Sequence, residues 1–68
     1  MRLTYLGKTA DSGKNGCPAL YATDRGTYVV QGKIVTDQEA IADLRDLADD
    51  EFYVEIPADV LQFANRTP

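Results

Sequence analysis

Three places in this 68-residue chain hold residue types that could do chemistry: a lone thiol at Cys17, glycine–lysine pairs at Gly7-Lys8-Thr9 and Gly13-Lys14, and a run of carboxylates at Asp43, Asp46, Asp49, Asp50, Glu51 and Glu55. A cysteine becomes a nucleophile or redox group only as the thiolate, which needs a neighbouring base or positive field. The chain contains no histidine, and Lys14 is the only base near Cys17 in sequence. Cys17 therefore reads as a small strand residue, the usual behaviour of a free cysteine. The glycine–lysine pairs echo the end of a phosphate-binding loop, whose two glycines stand five positions apart ahead of Lys-Ser/Thr. For Gly7-Lys8-Thr9 the first glycine would fall on Arg2; from Gly7 to Gly13 there is one residue too many, and Asn15 replaces the magnesium-binding hydroxyl. The carboxylates lack the turning glycine and alternating Asp/Asn of a calcium loop. Without histidine or paired cysteines the common zinc patterns are absent as well. No catalytic residue, cofactor or metal is expected, and the non-enzymatic reading leads.

Charge is unevenly distributed. Residues 1–36 carry five bases (Arg2, Lys8, Lys14, Arg25, Lys33) against Asp11 and Asp24, a balance of +3. Residues 37–59 carry nine acids against Arg45 alone, a balance of −8. Such separation speaks to partners more than to fold. Phosphate would be repelled along most of the second half, so no direct nucleic-acid binding is expected. The six carboxylates, with Asp43, Asp46, Asp49 and Asp50 expected on the outer face of a helix and Glu51 and Glu55 beyond it, read either as a solvated face or as a surface for a basic protein. No run approaches the roughly 18 apolar residues of a membrane span. The N-terminal apolar stretch before Lys8 is too short for a signal-peptide core, and a single cysteine forms no internal bridge, so a cytoplasmic setting is expected.

The elements that must position these groups form one small domain over residues 1–68. Residues 2–6 predict a strand, and residues 7–16, with three glycines, a mobile loop. Cys17–Thr23 predicts a second strand, with Pro18 at its start. Thr23-Asp24-Arg25-Gly26 is a hairpin signal, with Gly26 supplying a positive φ, and Thr27–Gln31 runs back as a strand. Beyond Gly32, residues 33–35 either continue past a bulge or start a third strand across a tight turn. Thr36 to Glu39 fits a capping box, followed by an amphipathic helix with Ile41, Leu44, Leu47 and Ala48 inward and Asp49-Asp50-Glu51 ending it. Residues 52–56 alternate as a strand with Phe52, Val54 and Ile56 toward the core. Pro57 opens a short final helix burying Val60, Leu61 and Ala64. The fold class is α+β: a small antiparallel β-meander, one amphipathic helix, a further strand and a short C-terminal helix, with local contacts dominating. A core of this size supplies about 3–5 kcal/mol, which leaves self-association as a homodimer open. Tyr5, Tyr21, Tyr28 and Tyr53 all fall on strands, where one or two could anchor an interface.

The segments Asp11-Ser12-Gly13-Lys14-Asn15-Gly16-Cys17, Tyr21-Ala22-Thr23-Asp24-Arg25-Gly26-Thr27-Tyr28-Val29-Val30-Gln31-Gly32 and Val54-Glu55-Ile56-Pro57 resemble short uncharacterised actinobacterial proteins. The looser pattern of a Gly-Cys loop, two strands across a glycine turn and a late apolar helix is similar to a family of unknown function encoded beside helix-turn-helix regulators. The resemblance implies a regulatory accessory protein and supplies no site residues. Combined with the charge pattern, it predicts transcription regulation by protein–protein interaction, with the acidic half meeting a basic helix-turn-helix regulator. The alternative is a DNA-mimic or antitoxin-like inhibitor, and a small thiol-dependent enzyme using Cys17 stands third.

Overall fold

A computed structural model describes residues 1–9 and 18–65, so the expectations for Cys17 and for the glycine loop over 10–16 lie outside the described residues. The protein is a small α+β fold. Its main sheet has the order β1-β2-β3, formed by β1 (Leu3–Lys8), β2 (Ala19–Thr23) and β3 (Tyr28–Gln31), antiparallel throughout. A separate two-stranded ribbon joins β4 (Lys33–Ile34) to β5 (Val54–Glu55). Between them in sequence lies the helix α1 (Gln38–Ala42), and a 3-10 helix spans Ala58–Asn65.

β1 runs two residues further than its sequence predicts, because the register slips between Tyr5, opposite Tyr21, and Gly7, opposite Leu20. Leu6 is the extra residue of this bulge, which breaks the two-residue alternation and lets Leu6 and Gly7 both be buried. Gly7 is required by contact: a Cβ there would stand 2.7 Å from two ring carbons of Phe63. The ladder continues past the strand as the Thr9 N–H donates to the Pro18 carbonyl at 3.1 Å. Gly7-Lys8-Thr9 is thus extended and edge-paired, with none of the turn into a helix that phosphate binding would need.

The β2–β3 hairpin closes as expected. Gly26 has φ +77°, a left-handed conformation that glycine adopts without a Cβ penalty. The Thr23 side chain holds the loop together by accepting from the backbone N–H groups of Arg25 and Thr27, at 3.1 and 3.2 Å.

The core lies between the inner face of this sheet and the 3-10 helix. Leu6, Leu20, Val60 and Phe63 form it, with Ala22, Ile56 and Ala64 packed alongside. Val60 is fully buried, whereas Leu61, expected inward, is 60% exposed. The cause is helix type: at three residues per turn positions 60 and 63 stack on one side, while the α-helical period assumed from sequence selects 60, 61 and 64. The Tyr28 hydroxyl donates to the Ala64 carbonyl at 2.7 Å, tying β3 to this helix across 36 positions of sequence. The core is therefore built by distant segments, against the expectation that local contacts dominate.

The middle of the chain departs most from its pattern. Asp37, rather than Thr36, is the N-cap of α1, its carboxylate accepting from the Glu39 N–H at 3.0 Å. Aspartate is among the best N-caps and adds full negative charge at the positive helix end. The helix then stops at Ala42, well before Asp49-Asp50-Glu51. Its last turn tightens as Asp43 and Leu44 donate to the carbonyls of Ala40 and Ile41 at 3.1 and 3.2 Å. Extension to Ala48 would put both Asp43 and Asp46 inside the helix, and aspartate is a poor helix former. Asp46 instead takes φ +56°. Leu44 and Leu47, the expected inward stripe, are 41% and 46% exposed. β4 neither continues β3 nor pairs with it; its partner is β5. Gly32 permits that arrangement, since a Cβ there would stand 2.6 Å from the Glu55 carbonyl oxygen and from Cγ2 of Ile56. Of the expected core row Phe52, Val54 and Ile56, only Ile56 reaches the core.

Candidate protein-interaction surface

All six carboxylates singled out in the sequence are solvent-exposed. They do not form one face of a helix, which corrects the expectation for Asp43, Asp46, Asp49 and Asp50. Asp43 caps the C-terminal end of α1, and Asp46 sits at a left-handed kink. Asp49 and Asp50 occupy the centre of a turn closed by the Glu51 N–H on the Ala48 carbonyl at 3.0 Å. The Glu51 side chain returns the favour, its Oε1 accepting from the Ala48 N–H at 3.0 Å. Glu55 lies on β5 directly opposite Lys33. The carboxylates are thus strung along the loop that leaves α1 and the strand that follows it, with Glu51 fixed by its own turn.

Sequence reasoning missed what lies between them. Ile34 is 66% exposed, Phe52 69% and Val54 36%. Phe52 stacks on Tyr53 with ring centroids 4.7 Å apart and planes 29° from parallel. The signal available in the sequence was the three-acid run Asp49-Asp50-Glu51 immediately ahead of Phe52, which favours solvent for the start of that strand. A second exposed apolar region lies on the outer face of the main sheet, where Leu3 and Tyr5 are 48% and 55% exposed and Tyr5 meets Tyr21 edge-on at 5.8 Å. The Tyr21 hydroxyl there donates to Gln31 Oε1 at 3.0 Å.

Among the described residues no group of three or more His, Cys, Asp or Glu side chains is placed to hold a metal ion, and no helix is long and apolar enough to cross a membrane. Among the described residues one buried side-chain polar atom, Thr9 Oγ1, has no hydrogen-bond partner. The arrangement is a run of exposed carboxylates, with Glu51 held by its own turn, followed in sequence by exposed aromatic and aliphatic side chains at Phe52 and Val54. Comparison with protein-family models, with curated proteins and with solved structures yields no match.

Proposed function

We propose that this chain is a non-enzymatic, cytoplasmic accessory protein that regulates a basic protein partner, of the helix-turn-helix class implied by the sequence resemblance, through its acid-rich segment. The observation that carries the reading is the −8 balance of residues 37–59 combined with the exposure of Asp43, Asp46, Asp49, Asp50, Glu51 and Glu55. Charge of this kind raises the encounter rate with a basic surface more than it deepens final affinity. The absence of histidine supports a binding role over catalysis, and the single cysteine suits a reducing compartment.

Affinity capture from the native host identifies the partner, and association kinetics then test the mechanism. Asp43→Asn/Asp46→Asn should slow association at low ionic strength without lowering thermal stability, since both side chains are exposed. A variant that associates as fast as the parent under those conditions reduces the acidic segment to a solubilising surface. Displacement of the partner by duplex DNA would identify the inhibitor as a DNA mimic.

A further inference from the structure

We draw no further inference here: the strongest candidate, the outer face of the main sheet around Leu3, Tyr5 and Tyr21, is an unpartnered apolar face, and nothing in the structure shows what covers it.

Discussion

Leu6, Leu20, Val60 and Phe63 are each at most 8% exposed, while Ile34, Leu44, Leu47 and Phe52, side chains of the same kinds, are between 41% and 69% exposed. The first group sits where three paired strands and a helix converge. Of the second only Ile34 lies in an element, the two-residue β4; Leu44, Leu47 and Phe52 lie in the aspartate-rich connection between the five-residue α1 and the two-residue β5. Apolar side chains are buried where elements are long enough to supply neighbours on several sides; elsewhere they stay at the surface whatever their hydropathy. The sheet side of this molecule is therefore the folding unit, and the acid-rich side is attached to it mainly through Gly32 and Ile56.

The sharpest way to break that comparison is to remove the side chain on which the sheet side closes. Phe63 packs against Gly7 and stands in the same cluster as Leu6, Leu20 and Val60. Phe63→Ala should cost about 3–5 kcal/mol. A domain of this size holds about 3–5 kcal/mol in all, so the variant should be largely unfolded by far-ultraviolet circular dichroism at room temperature. A folded, cooperatively melting Phe63→Ala protein would mean that the acid-rich side carries more of the stability than its exposure suggests.

A smaller effect is expected at the hairpin. Nothing lies within 4 Å of a Cβ built on Gly26, so space is not the constraint; the φ of +77° is. Gly26→Val should lose about 1–2 kcal/mol from the left-handed conformation alone, read as a lower denaturation midpoint. An unchanged midpoint would show that the loop can adopt another turn, and would loosen the β2–β3 register that aligns Tyr28 with Ala64.

The hairpin was legible because its signal is local: one glycine between two β-prone runs admits few alternatives. The α+β class and the burial of Val60 were legible for the same reason. The helix was misread because hydrophobic periodicity over Ile41, Leu44 and Leu47 competes with the low helix propensity of aspartate at positions 43, 46, 49 and 50, and without packing neighbours the propensity wins. Phe63 was missed because 3-10 and α periods diverge by position 63, a distinction that composition does not carry. For the candidate surface, the carboxylates could be named from sequence and the acid run ahead of Phe52 was a signal for its exposure, but the exposure of Ile34 and Val54 could not be read. Pairing of β4 with β5 depends on a close approach at Gly32 between segments 20 or more positions apart, which no local pattern reports.

The smallest expected effect separates the two sides most cleanly. On the helical reading of residues 37–48, Leu44 is a core side chain, and Leu44→Asp would bury an unpaired charge at a cost of several kcal/mol. In the structure α1 has ended two residues earlier, and Leu44 is 41% exposed. An aspartate there keeps its carboxylate in water, and the segment already accommodates Asp43 and Asp46 on either side of it. The added like charge is screened at physiological salt, where the Debye length is about 8 Å. Leu44→Asp should therefore change the unfolding free energy by no more than about 0.5 kcal/mol, the range of ordinary surface substitutions. Chemical denaturation of the parent and the variant in the same buffer measures the difference directly. A loss above about 2 kcal/mol would place Leu44 in a packed interior, restore the longer amphipathic helix, and give the acid-rich side a core of its own.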